Sequence, residues 1–275
     1  MLHASALKRR RLGRTGLEVT ELGLGAMDTP GSPEGAATLQ AALDAGIDFV
    51  DTAREYAGSE FLIGQEVRAR GAKTFHVATK SFARTADGVQ RDVDRSLSML
   101  GVERIDLYQL HDVTTPEAFA QVMGEDGALE GLKIAQYRGL IEHIGVSTHD
   151  LATARLLIES GEFATIMLEY SAFSPESAPI IELARAHDVG VIVMRPLGGS
   201  GRTSVIRGRL AQGTAGLLTP ANLLRYVLSN PAVAVAIPGA SYPSRVQENV
   251  ATALTYEPLT EPEQRALEAA TAGFY

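Results

Sequence analysis

The feature that most limits how this chain can fold is an alternation. Short apolar runs, often β-branched, recur along it, and apolar residues at helical spacing lie between them. The runs read as strands are Glu21–Gly25, Phe49–Asp51, Phe75–Thr79, Ile105–Leu110, His143–Ser147, Thr165–Leu168, Gly190–Met194 and Val233–Ile237. Continuous apolar runs of this length suit strands buried on both faces. The helical stretches are Pro33–Ala45, Asp87–Leu100, Thr114–Tyr137, Leu151–Ser160, Glu176–His187, Pro220–Ser229, Pro243–Leu254 and a last helix from about Thr260. Eight strands with a helix after nearly every one predict the α/β class and a (β/α)8 TIM barrel. Ahead of them, Arg10–Val19 carries Gly13 and Gly16 and reads as a short hairpin closing the barrel floor. No linker rich in Pro, Gly or Ser divides the chain, so residues 1–275 are read as a single domain. The longest gap, Leu197–Thr219, holds six glycines and reads as a long loop. Little follows the last helix beyond Ala272–Tyr275, which predicts no long C-terminal flap and an open substrate site.

Composition narrows the function. With 25 Lys and Arg against 33 Asp and Glu the formal charge is −8, and the only basic run is Lys8-Arg9-Arg10-Arg11. Neutralising phosphates of a nucleic acid takes clustered cations, so a nucleic-acid partner is not expected and the run is read as flanking the first strand. The absence of Cys excludes disulfides, iron–sulfur clusters, Cys-ligated zinc and a Cys nucleophile. No apolar segment near Met1–Arg11 has the form of a secretory signal, and no apolar run is long enough to span a membrane. The expectation is a cytoplasmic protein with no membrane partner. His3, His76, His143, His149 and His187 form no metal-binding spacing, and no metal is expected. No motif sets the oligomeric state, and a monomer is the default.

In such a barrel the active site sits at the C-terminal ends of the strands. The second strand ends in Asp51, followed by Tyr56; Lys80 follows the third strand and His111 the fourth. Taken singly, the Asp reads as a turn residue or cap, the Tyr as packing and the His as a structural hydrogen-bonding group. Lys80 is harder to dismiss, because a lysine beside a core strand is costly unless paired. Together the four groups occupy one rim. An ammonium about 4 Å from a phenolate stabilises it by up to ~4 kcal/mol at an effective dielectric of about 20, which lowers the phenol's pKa. Asp51 would neutralise and orient Lys80, and His111 would add a second hydrogen bond at the reacting oxygen. This is machinery for protonating a carbonyl oxygen.

On these residues the sequence resembles the aldo-keto reductase superfamily over nearly its whole length. The segment "RRRLGRTGLEVTELGLG" (Arg9–Gly25) is similar to the family's N-terminal stretch. "GIDFVDTAREYAGSEFLIG" carries the Asp and Tyr five apart, "VATK" ends at Lys80, and "IDLYQLH" ends at His111. "IGVS" ends at Ser147, and "IPGASYPSRVQEN" spans Ile237–Asn249. The resemblance implies a nicotinamide dinucleotide bound in extended form, NADPH with NADH possible. It implies catalytic roles for Asp51, Tyr56, Lys80 and His111. Arg245 would face the 2′-phosphate, Glu248 and Asn249 the adenine, and Ser147 and Met194 the nicotinamide. Read without the family, Arg245 is a solvated helix charge, and Ser147 a strand-end hydroxyl before a helix that Asp150 caps. The sequence departs from the best-known pattern at Thr148, Met167, Met194 and Gly239; the last two resemble variants of bacterial and related branches, and core packing is the alternative for the two Met residues. Gly23-Leu24-Gly25 lacks the third glycine of the Rossmann fingerprint, and Gly198–Arg202 lacks the ending of a P-loop.

The implied function is reduction of a small-molecule aldehyde or ketone, or oxidation of a sugar or alcohol. A cofactor-sensing regulatory subunit on the same fold is the alternative, and a metal-dependent barrel hydrolase is a third reading.

Overall fold

The computed structural model describes residues 6–71, 74–272 and 274. His3, most of the segment before Lys8, and Gly273 and Tyr275 lie outside the described residues. A hairpin opens the fold: β1 (Arg9–Arg11) pairs antiparallel with β2 (Glu18–Thr20). Eight parallel strands follow: β3 (Leu24–Gly25), β4 (Phe49–Asp51), β5 (His76–Ser81), β6 (Ile105–Leu110), β7 (Ile141–Ser147), β8 (Thr165–Glu169), β9 (Gly190–Met194) and β10 (Val235–Ile237). Each pairs with the next, and parallel bridges Leu22–Ala236 and Gly25–Gly239 join the two edges into a barrel. The expected architecture is therefore present.

The helices are α1 (Pro33–Asp44), α2 (Ser59–Arg70), α3 (Ala86–Leu100), α4 (Pro116–Met123), α5 (Ala128–Tyr137), α6 (Leu151–Glu159), α7 (Ala178–Ala186), α8 (Ser200–Ala211), α9 (Pro220–Leu228), α10 (Pro243–Thr255) and α11 (Glu261–Ala272). Ser32, Thr85, Thr115, Asp150 and Thr219 each accept a backbone N–H at a helix start, the role a short polar side chain fills at an N-cap.

Three segments differ from the sequence reading. The stretch Thr114–Tyr137 is two helices. Residues 124–127 leave the helix to pair with the loop before α3, where the Ala86 N–H donates to Asp126 O and the Ala128 N–H to Arg84 O. Helix α2 was not expected, because its packed face includes Glu60, Gly64 and Glu66 and so lacks a clean apolar stripe. The stretch Leu197–Thr219 is not one long loop but holds α8. Its glycines act at the ends: Gly198 and Gly199 lead in, and Gly213 and Gly216 lead out, all with positive φ.

Two apolar shells build the core. Phe49, Ala78, Leu107 and Ile192 fill the barrel interior with Leu12 and Val19 from the hairpin. Val50, Val77, Tyr108 and Val193, their neighbours along the strands, pack outward under the helices. The hairpin does close the floor. Gly13 has φ +52°, and a Cβ there would lie 2.1 Å from the Gly190 nitrogen. A Cβ on Gly190 would in turn lie 2.7 Å from the Leu12 carbonyl carbon, so backbone meets backbone at this point. The three arginines of the basic run form ion pairs, Arg9 with Asp48, Arg10 with the buried Glu21 and Arg11 with Asp188, while Lys8 lies over the Tyr256 ring.

Candidate active site

The period of two along each strand decides which side chains reach the barrel mouth. Asp51 points inward because Phe49 does, Lys80 because Ala78 does, and His111 and Gln109 because Leu107 does. Ser147 ends β7, Met167 lies in β8, and Met194 ends β9. All of these except Gln109 line one cavity of about 880 Å³, together with Tyr56 from the loop after β4.

Lys80 is buried, and its Nζ donates to Asp51 Oδ1 at 2.5 Å and to the Thr52 carbonyl at 2.9 Å. Gln109 Nε2 donates to the other Asp51 oxygen at 3.0 Å. Burial pulls the Asp51 carboxyl above its ordinary pKa, while the Lys80 charge and these hydrogen bonds oppose the rise. The Tyr56 ring lies with its centroid 4.8 Å from Lys80 Nζ and meets the His111 ring edge-on.

The sequence reading expected Lys80 to lower the Tyr56 pKa. Instead the phenol is held above its ordinary value, first by burial and then by the negative charges of Asp51 and Glu55. Lys80 already spends its charge on Asp51, and the cation that opposes the rise at Tyr56 is Arg195.

Around this centre stand residues that the sequence reading passed over. Glu55 Oε2 lies 3.0 Å from His111 Nδ1. His149, noted in the sequence only as lacking a metal-binding spacing, lines the cavity with Nδ1 2.7 Å from Glu169 Oε1, and Arg195 Nη1 donates to the same oxygen at 2.7 Å. Hydrogen bonding to His149, against burial and with help from Arg195, holds Glu169 below its ordinary pKa. Signals for some of these residues were present in the chain: Gln109 lies two before His111 and Glu169 two after Met167, so strand alternation puts them on the same inner face.

Arginines of two helices also face the cavity. Arg202 and Arg207 of α8 and Arg245 of α10 all line it. Glu248 bonds Arg207 at 2.7 Å and Arg245 at 3.2 Å, and so holds two guanidinium groups together. Burial pushes the Glu248 carboxyl up, but these two arginines prevail and leave it below its ordinary value. Ser147 Oγ accepts the Asp112 N–H at 2.8 Å. Of the two residues expected at the adenine, neither lines the cavity: Glu248 is turned to the two arginines, and Asn249 is buried on the packed face of α10. Gly239 does line it, and a Cβ there would lie 2.5 Å from Asp28 Oδ2. Among the described residues, no group of three or more His, Cys, Asp or Glu is placed to hold a metal ion, and no helix is long and apolar enough to cross a membrane.

A parallel barrel with a buried Lys–Asp pair, a half-buried phenol and an imidazole at its C-terminal mouth defines a class of barrel oxidoreductases. The comparisons name it. The model of the aldo/keto reductase family matches residues 21–215, and the chain belongs to that family. Over 96% of its length it is 26% identical to "Uncharacterized oxidoreductase YqkF" of Bacillus subtilis (strain 168), covering 97% of that protein. The solved aldo-keto reductase AKR11C1 from Bacillus halodurans, in its holo form, shares the fold with a TM-score of 0.81 at 24% identity, with 96% of each chain covered. A putative aldo-keto reductase from Pseudomonas aeruginosa has a TM-score of 0.75 at 28% identity, covering 90% of this chain and 94% of that one. The chain is thus an oxidoreductase on a (β/α)8 barrel.

Proposed function

We propose that this protein interconverts a small-molecule aldehyde or ketone and its alcohol, with NADPH as the cofactor and Tyr56 as the proton donor. The observation that carries the reading is the joining, in one cavity, of the Asp51–Tyr56–Lys80–His111 cluster with arginines of two helices. A dinucleotide needs both features: cations for its phosphates and a proton donor beside its reactive ring. The residues present fit it. Arg202, Arg207 and Arg245 would hold the phosphates, with Arg245 toward the 2′-phosphate, and Glu248 would keep Arg207 and Arg245 in place. Ser147 and Met194 would flank the nicotinamide. Asn249, turned into the packed face of its helix, is left out of this set. When bound, the reduced cofactor supplies hydride to the carbonyl carbon.

The chain's own residues handle the proton. Tyr56 stays protonated at neutral pH because burial and two carboxylates disfavour its phenolate. It can therefore donate its O–H to a carbonyl oxygen before transfer and release the proton as negative charge develops there. Lys80, neutralised by Asp51, acts as a fixed dipole beneath the phenol. His111, edge-on to the Tyr56 ring, stands beside the place of the substrate oxygen. Met27 and Phe82, both exposed at the cavity, offer apolar surface to the substrate.

The test is a fluorescence titration with NADPH and NADH, followed by turnover assays on a panel of carbonyls and alcohols. NADPH binding tighter than NADH, with reduction of some aldehyde, supports the proposal. Tight binding without turnover across the panel would return the protein to the cofactor-sensing reading.

A further inference from the structure

His111 is held from several sides by a constellation that its barrel position alone does not explain. The Phe82 ring stacks on it with centroids 4.0 Å apart and planes 16° from parallel. The Tyr56 ring meets it edge-on at 5.9 Å. Glu55 then makes two bonds at once: Oε2 faces His111 Nδ1 at 3.0 Å, and Oε1 accepts the Phe82 N–H at 2.9 Å. One carboxylate thus fastens both the imidazole and the residue stacked on it. It does so from the position immediately before Tyr56. Burial raises the Glu55 pKa, but the bonds from His111 and Phe82 outweigh it and leave the group below its ordinary value, hence ionised.

An ionised carboxylate only accepts hydrogen bonds, so Nδ1 must carry the hydrogen it receives. A neutral imidazole has one donor and one acceptor nitrogen, and fixing the first fixes the second. We propose that Glu55 is a positioning residue that locks His111 with its proton on Nδ1, so that Nε2 accepts from a substrate hydroxyl and the site favours the alcohol over the carbonyl. This rests on the carbonyl–alcohol reading above. A bound alcohol has a hydrogen to give to Nε2 and a lone pair to take the Tyr56 O–H. A carbonyl oxygen has only lone pairs, so an Nε2 that carries no hydrogen offers it no hydrogen bond.

Glu55→Gln changes one bond and keeps the other. The Phe82 N–H needs an acceptor, so the new amide turns its oxygen there and its NH2 toward His111 Nδ1. Nδ1 then becomes the acceptor, and the proton moves to Nε2. The readout is the ring-nitrogen pattern of His111 in a long-range 1H–15N spectrum of the protein alone, at about pH 8 where an ordinary imidazole is neutral. Wild type should show the Nδ1–H form and Glu55→Gln the Nε2–H form. In steady-state assays kcat/KM changes by one common factor in both directions, since the equilibrium constant is fixed, but the variant should lose at least tenfold in affinity for the alcohol and much less for the carbonyl, with cofactor affinity and melting temperature unchanged. An Nδ1–H pattern that persists in the variant overturns the assignment of Glu55, whatever the turnover. Equal losses of affinity for the alcohol and the carbonyl overturn the preference for alcohol. A wild-type protein that turns over neither partner defeats the carbonyl–alcohol reading, a failure the spectrum keeps separate from that of Glu55.

Discussion

Lys80 Nζ and Asp51 Oδ1 meet at 2.5 Å inside the barrel, with side chains only 2% and 3% exposed. Neither charge has water to solvate it, so each depends on the other and on the bonds from Thr52 and Gln109. A buried pair of this kind adds little net stability compared with an apolar pair, but it is costly to break from one side. Its position beneath Tyr56 makes it part of the site's electrostatics as well as of the core.

That asymmetry predicts the outcome of a mutant cycle. Asp51→Asn leaves the lysine charge uncompensated, and Lys80→Met leaves the carboxylate so; each should cost about 3–5 kcal/mol of stability. The double variant should cost clearly less than the sum. Urea unfolding of the four proteins measures this, and additive losses would show that the two groups are not coupled.

Tyr56→Phe removes the proton donor and leaves the ring in place. Turnover should fall by about 10²–10⁴, the range for loss of a general acid, with NADPH affinity unchanged. A variant that keeps the wild-type rate assigns the proton to another group.

Much of this was legible in the chain because barrel strands expose their chemistry at fixed places. Asp51, Lys80, His111 and Ser147 each lie at or beside the end of an apolar run, and alternation alone turns them inward. What escaped was set by contacts between segments distant in sequence. The ionised Glu55 looks like any loop glutamate until Phe82 and His111, from two other strand ends, arrive beside it. Helix α8 was hidden because glycines suggest a loop, whereas here they supply the left-handed turns at its ends and two exposed positions within it. The expected drop in the Tyr56 pKa failed because a sequence does not show how far the phenol is withdrawn from water or that the Asp51 and Glu55 carboxylates both bear on it.

Arg245 is predicted to set the cofactor preference. It is partly exposed at the cavity and is held by Glu248. Arg245→Ala should weaken NADPH by about tenfold or more, as expected for loss of a charge-assisted phosphate contact, and leave NADH nearly unchanged. Equal losses for both cofactors would remove the 2′-phosphate from its role.

Gly239 lines the same cavity as Arg245, where an added lysine would be a further cation for that phosphate. Here the space beside it holds the Asp28 carboxylate, 2.5 Å from where a Cβ would sit. Gly239→Lys alone should therefore pair with Asp28 and gain little NADPH affinity. Combined with Asp28→Ala, the new lysine is released, and NADPH binding should tighten beyond that of either single variant. Fluorescence titration of the three variants decides it, and a full gain from Gly239→Lys alone would show that Asp28 does not compete.

Asp150 tests the link between a local cap and the pH dependence of the fold. Its Oδ2 accepts the Thr153 N–H at 2.7 Å and the Thr153 hydroxyl at 2.8 Å, at the start of the helix that follows Ser147. The backbone bond first, and the hydroxyl bond second, hold the carboxyl below its ordinary value of 3.8. The folded state therefore binds its proton less readily than the unfolded state. The cap's contribution is complete above the unfolded carboxylate pKa and is lost as pH falls through the folded one. Asp150→Ala should cost about 1 kcal/mol at neutral pH, a typical loss for an N-cap. That gap should narrow as the pH drops below the ordinary aspartate value. Asp150→Asn, which caps without a charge, should keep most of the stability and differ from wild type by an amount that changes sign or shrinks over the same range. Comparing the variants at each pH cancels the other titrating groups, including His76, whose pKa is raised by its bond to Asp106 and whose contribution runs the opposite way. A constant gap between wild type and Asp150→Ala from neutral to acid pH would mean that the cap works without its charge.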